Sequence, residues 1–204
     1  MSRVVVVGAG GHAKVVIATC RAAGHTVVGV VDDDSSRWGQ QWLGVSVTGP
    51  VRNVLDDANA EAVLAIGANR TRATLAAGAR CQFATIVHPS TTIEPSVRLG
   101  AGSVVFAGVV IQPDAVLGEH VIVNTAASID HDAAIGDFVH LAPGVRLAGN
   151  VSIEQGAFLG IGTVAIPGVR VGAWTTVGAG AAIIDTLGSG IVAVGVPART
   201  LRKA

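Results

Sequence analysis

The chain has no tyrosine, and aromatic residues make up only 3% of its 204 residues. A core assembled around large rings is therefore excluded. It has no excess of either charge, since 14 Lys and Arg balance 14 Asp and Glu. That argues against a nucleic-acid partner or an anionic membrane surface as the target. Only Cys20 and Cys81 carry thiols, too few for a disulfide framework or a zinc spacing. They are expected to be buried free thiols, as suits a reducing cytoplasm. No apolar run approaches the ~18 residues of a transmembrane helix. The opening "MSRVVVVGAGGH" lacks the long apolar stretch and cleavage site of a secretory leader. A cytoplasmic protein without membrane insertion is the expectation.

What is abundant is small and aliphatic. Half the residues are hydrophobic and 27 are Gly, about twice the usual ~7%. Such a composition predicts a narrow, repetitive interior.

The pattern along the chain changes near residue 90. Before it, strand and helix signals alternate. "RVVVVGA", "HTVVGVVDDD", "AEAVLAIGAN" and "CQFATIVHP" read as buried parallel strands. "HAKVVIATCRAAG", "GPVRNVLDD" and "RTRATLAAGA" read as helices between them. Residues 1–89 are thus expected to form a small Rossmann-like βαβ domain with a parallel sheet.

From Ile93 the chain keeps a beat of six. Ile93, Leu99, Val105, Ile111, Leu117, Val123, Ile129, Ile135, Leu141, Leu147, Ile153, Leu159, Ala165, Val171, Val177 and Ile183 form one unbroken aliphatic column. Four residues beyond each lies a second column of small or β-branched residues, from Val97 through Ser103 and Val109 to Ala181. Neither the helical nor the strand period gives a beat of six; a hexapeptide parallel β-helix does. Three hexads make an eighteen-residue turn of a triangular prism, predicted here over residues 90–204.

"GAGGHAKVV", "VVDDD", "AIGAN", "IVHPS", "IVNT", "IDHDAAIGDFVHLAPGVRLAGNVSI", "FLGIGTVAIPG" and "GVPAR" occur in that order. Together with the hexads they resemble the bacterial hexapeptide-repeat sugar O- and N-acetyltransferases, among them the UDP-4-amino-sugar, perosamine and sialic acid enzymes. The likeness spans essentially the whole chain. It implies a left-handed parallel β-helix, acetyl-CoA as co-substrate, no metal, and a homotrimer with sites between subunits.

Within that frame His131 is the candidate general base. Eighteen residues on lies Gly149, which should stack against it on the next coil and leave room for a substrate. Its N–H is the candidate oxyanion donor, the arrangement acyl transfer to an amine or hydroxyl requires. Asp132 would support His131. Many relatives carry Glu there, and the shorter Asp predicts a looser or indirect contact. The resemblance implies that His140 meets the thioester end of acetyl-CoA, with Asn124 nearby. It places the pantetheine against Gly160, Ile161, Gly178 and Ala179, and Arg199, with Arg202 and Lys203, near the CoA phosphates. A bond from His140 to the neighbouring coil, and a flexible basic tail, are the competing readings. Asp130 reads as a corner residue bonding local backbone. His120 and Asp114 read as solvated corners.

"GAGGHA" also fits G-x-G-x-x-A, with Asp32 at the distance of a ribose ligand. Fewer than ninety residues precede the repeats, about half of a doubly wound dinucleotide domain. Binding one end of a nucleotide-sugar fits better, through Gly10, Gly11, His12, Asp32, Asp33, Gly67 and Asn69. The reaction expected is N-acetylation of a nucleotide-linked 4-amino-sugar. O-acetylation of sialic acid or another sugar, and a non-enzymatic nucleotide-sugar scaffold, are the alternatives. A zinc enzyme on the same solenoid would need a histidine spacing that His120, His131 and His140, 11 and 9 apart, do not have.

Overall fold

The computed structural model describes residues 2–203. Its contacts divide into two compact units, Met1–Pro89 and Ser90–Ala204.

The first unit is built on β1 (Arg3–Val7), α1 (Gly11–Ala22), β2 (Thr26–Val31), the hairpin β3 (Gln41–Trp42) and β4 (Val45–Ser46), α2 (Arg52–Leu55), β5 (Glu61–Leu64), α3 (Asn69–Ala77) and β6 (Gln82–Phe83). Four strands form a parallel sheet in the order β2-β1-β5-β6. The β-branched run Val4, Val6, Val7 is fully buried in its centre, with Val63 beside it and Val16 and Ile17 of α1 above. Gly8 has φ +104, and a Cβ there would lie 2.5 Å from Ile66 Cδ1. Only glycine lets the chain leave β1 so close to the end of β5. The expected fourth strand is shorter than "CQFATIVHP": only Gln82–Phe83 joins this sheet, and Ile86–Val87 does not. The β3–β4 hairpin and a 3-10 turn at Ser35–Arg37 were not legible in the hydrophobic pattern.

The second unit is a triangular parallel β-helix. Its first face stacks Thr92–Ile93, Val110–Ile111, Ser128–Ile129, Arg146–Leu147, Val164–Ala165 and Ala182–Ile183. The second stacks Arg98–Leu99, Val116–Leu117, Ala134–Ile135, Ser152–Ile153 and Arg170–Val171. The third contains Val104–Val105, Ile122–Val123, His140–Leu141, Phe158–Leu159 and Thr176–Val177, and closes with Ile191–Val194 and the antiparallel Arg199–Lys203. Every solenoid pair up to Ile183 is offset by eighteen residues, as in Ile129↔Leu147 and Leu141↔Leu159.

One local rule makes all the corners. From residue 102 to residue 180 every sixth residue has a positive φ, the third position of a type II turn. Glycine is favoured there, and Asp132 (φ 58) and Asn150 (φ 59) are the side chains that tolerate it best. The preceding position needs no N–H for the ladder, so Pro113, Pro143 and Pro167 occupy it. The following position is the second column, which is buried from Ser103 to Ala181. Its polar members turn inward onto backbone: Ser103 Oγ donates to Gly118 O at 3.0 Å and Thr175 Oγ1 to Gly188 O at 2.6 Å. The first column fills the prism, with Ile111, Ile129, Leu141, Leu159 and Ile183 at zero exposure.

Candidate functional site

His131 occupies the second position of the corner between the first and second faces. Its N–H donates to Asp130 Oδ1 at 2.8 Å, the local backbone role expected of Asp130. Its Nδ1 lies 2.7 Å from Asp132 Oδ2. The contact is direct, not loose: Asp132, at φ 58, brings its short side chain to the Nδ1 edge of the ring. With the hydrogen on Nδ1 donated to the carboxylate, Nε2 keeps its lone pair. The Asp132 hydrogen bond raises the His131 pKa above its ordinary value, desolvation opposes it, and the charges of Asp130 and Asp132 add to the rise.

Gly149 sits on the adjacent coil. A Cβ there would fall 2.6 Å from both Nε2 and Cε1 of His131. Asn150 N–H donates to His131 O at 2.9 Å, which locks the two corners in register. Gly149 takes the turn position that proline fills elsewhere, and its N–H meets no acceptor among the described residues. A basic nitrogen and an unspent donor thus stand side by side at an open edge, where the His131 side chain is 54% exposed.

The remaining expected residues lie elsewhere on the prism. Asn124, Gly160, Ile161, Gly178 and Ala179 all belong to the corner between the third and first faces. Gly160 and Ala179 are in tight contact, since a Cβ on Gly160 would come within 2.6 Å of Ala179 N. Ile161 is 62% exposed beside them. His140 is buried on the third face. Asn124 Oδ1 accepts from Thr125 N–H at 2.9 Å, leaving its amide to donate to His140 Nε2 at 3.3 Å. Phe158 meets the His140 ring edge-on at 5.2 Å. His140 therefore lies on the third face, and His131 at the corner between the other two.

Arg199 is in a strand rather than a loose tail, 3.1 Å from Asp185 Oδ2. That pair is exposed and weak, about 0–1 kcal/mol, so an incoming anion can compete for the guanidinium. Asp114 is exposed, as expected. His120 is not a solvated corner: it is 4% exposed and stacks on Phe138 at 5.2 Å. One coil of solenoid separates these two corner residues, which brings their rings face to face.

In the first unit, Gly10 and Gly11 open α1, and His12 follows. Asp32 and Asp33 follow β2, and Gly67 and Asn69 follow β5. All seven lie at the carboxyl edge of the parallel sheet, where open α/β sheets bind ligands. Asp32 is already engaged: Oδ2 accepts from Ala9 N–H at 2.6 Å and Oδ1 from Asp34 N–H at 2.9 Å. Asp33 Oδ1 accepts from Val51 N–H at 3.0 Å. Arg72, 1% exposed, donates to Ile66 O at 2.9 Å and Asn69 Oδ1 at 3.0 Å. Burial pushes its pKa down to about 10. Burial, then the charge of Arg72, lowers that of His12. Sequence reasoning missed Arg72, Arg37 and Trp38. The only signal for the last two was a basic and an aromatic residue closing "DDDSSRW".

Burial pushes the Cys20 thiol up to about 12 and raises Cys81 as well, which favours the protonated, poorly nucleophilic form of both. Among the described residues, no helix is long and apolar enough to cross a membrane, and no three His, Cys, Asp or Glu side chains cluster as metal ligands.

Residues 3–78 match the PglD N-terminal domain family. A variant of perosamine N-acetyltransferase from Caulobacter crescentus, solved with CoA and GDP-perosamine, is 43% identical over 97% of this chain and 95% of that one, with a TM-score of 0.91. The acetyltransferase domain of PglB from Neisseria gonorrhoeae, solved with acetyl coenzyme A, is 38% identical over 98% of both chains, with a TM-score of 0.88. WeeI from Acinetobacter baumannii is 25% identical over 98% of this chain and all of that one, with a TM-score of 0.87. The curated Schizosaccharomyces pombe protein C18B11.09c is 32% identical over 60 residues, 29% of either chain, so the match spans under a third of that relative. The likeness to the solved structures takes in both the small N-terminal domain and the left-handed β-helix.

Proposed function

We propose, for a chain that belongs to the hexapeptide-repeat sugar acetyltransferases, that it transfers the acetyl group of acetyl-CoA to the amino group of a nucleotide-linked 4-amino-sugar. The observation that carries this reading is the placement of His131 Nε2 over Gly149, beside an N–H that the fold leaves unspent. CoA and GDP-perosamine in the Caulobacter relative support the substrate pair.

The amine nitrogen adds to the thioester carbonyl carbon, and His131 Nε2 takes the proton it loses. The Gly149 N–H donates to the carbonyl oxygen as it becomes negative; a donor at such a position contributes roughly 10²–10³ in rate. The C–S bond then breaks, the carbonyl reforms, and CoA departs as thiolate or, with the proton from His131, as thiol. Asp132 keeps the ring in the tautomer whose Nε2 is basic and stabilises the imidazolium.

Gly160, Ile161, Gly178, Ala179, Asn124 and Arg199 serve the CoA side, and His140 fixes Asn124. These residues and His131 lie on different edges of one prism, so a site that uses both edges takes them from two protomers. A homotrimer meets that need by turning one chain's edge toward the next. The free thiols and the thioester co-substrate suit the cytoplasm.

The test is thiol release from acetyl-CoA across UDP-, GDP- and CMP-linked amino and hydroxy sugars, with product masses to separate amide from ester. Turnover on an amino-sugar that is lost in His131→Ala is expected. Full activity in His131→Ala would remove His131 from the mechanism.

A further inference from the structure

The first unit carries an exposed aromatic side chain that packing does not explain. Trp38 is 44% exposed, in a chain that has three Trp and no Tyr. A single exposed apolar side chain is ordinary in itself. This one is held in place: its Nε1–H donates to Asp32 O at 2.8 Å. A ring that spends its only polar group on backbone while leaving much of its surface in water is presented, not stored.

Its place is set by a chain of short contacts. Asp32 follows β2 and accepts from Ala9 N–H in the Gly-rich loop at 2.6 Å. Arg37, the residue before Trp38, donates Nη1 to Ala9 O at 2.6 Å and Nε to Asp34 Oδ2 at 3.0 Å. Asp34 caps the 3-10 turn through Ser36 N–H at 3.1 Å. The 32–38 segment is thus tied to the loop that opens α1 by two bonds, both to the backbone of Ala9. The indole is anchored on Asp32 O, just past the carboxyl end of β2, and the residues on either side of that anchor, Asp32 and Arg37, are the ones that bond the loop. A nucleotide lying on that loop would send its base toward β2, as α/β folds direct it.

We propose that Trp38 is the platform on which the nucleobase of the nucleotide-sugar stacks, and that it favours a purine. The reason is area: a fused indole overlaps a fused purine more fully than a single pyrimidine ring, and stacking follows overlap. Arg37 is a positioning residue that holds the platform against the loop. This rests on the nucleotide-sugar reading above.

The experiment is calorimetric titration of the full chain with GDP, UDP and inorganic pyrophosphate. The wild type, Trp38→Ala and Trp38→Phe are compared, with circular dichroism to confirm folding. The wild type binds GDP more tightly than UDP. Trp38→Ala weakens GDP about tenfold, the order expected for loss of one base–aromatic stack, and narrows the gap to UDP. Pyrophosphate binding is unchanged, and Trp38→Phe recovers most of the loss. GDP affinity unaffected by Trp38→Ala, or a parallel loss of pyrophosphate binding, would overturn the platform. UDP binding tighter than GDP in the wild type would overturn the purine preference. A wild type that binds no diphosphate at all sinks the nucleotide-sugar reading itself and the platform with it, an outcome recognisable because it precedes any variant.

Discussion

At the scale of single residues, the candidate chemistry rests on what Asp132 and Gly149 each do for one imidazole. His131 must be neutral to accept a proton, and Asp132 raises the pKa it has to lose. Activity should therefore fall as pH drops, with an acid limb above that of an unperturbed histidine. In Asp132→Asn the ring loses its anionic partner, so that acid limb moves to lower pH while the plateau kcat falls about 10-fold or more; a pH–rate profile reads both. Gly149 separates two effects. Ala there keeps the N–H but pushes a methyl into the His131 ring, whereas Pro fits the turn as Pro113, Pro143 and Pro167 do and also removes the N–H. Both variants should keep the solenoid, with kcat lower in Gly149→Pro than in Gly149→Ala by roughly 10² or more. Equal rates would show that the N–H is idle. The pairing of 131 with 149 was legible by adding eighteen. The Gly149 N–H as a donor was read there too; that the turn leaves it without an acceptor was not, because that follows from turn geometry rather than residue type. His120 was misread for a similar reason: its neighbour Phe138 is a stacking partner only once the coil spacing is known.

At the scale of elements, each two-residue strand contributes one aliphatic side chain inward. Its weight is that of a buried core residue. Leu141→Ala or Ile153→Ala should cost about 2–5 kcal/mol in denaturant unfolding, because the rigid coils above and below cannot collapse into the gap. The hexads were readable since a single rule, inward aliphatic and then corner, repeats without interruption. The first unit obeys no such rule. Its β3–β4 hairpin turns at Leu43 and Gly44, both at positive φ, and Leu is not a residue that announces such a turn. The broken last strand and the tethered 32–38 segment depend on contacts made across the domain, which no local pattern displays.

At the scale of the whole molecule, the separation of candidate residues onto distinct prism edges is the feature that asks for a partner. Purified protein should sediment as a trimer. Two inactive variants, His131→Ala on one edge and Ala179→Trp on the other, should regain thiol release when unfolded together and co-refolded, since some mixed assemblies then pair an intact edge from each. No recovery, with mixed trimers verified by mass, would place the full site within one chain. The eighteen-residue repeat carries a last consequence, for engineering. Splicing a complete rung between Gly149 and Gly160 lengthens the column yet returns every later side chain to its own edge. Splicing a lone hexad turns the downstream half by a third of a revolution and points the CoA-side corner at the wrong neighbour. Tolerance to added length in this protein should thus come in steps of three hexads, like a thread that accepts only full turns.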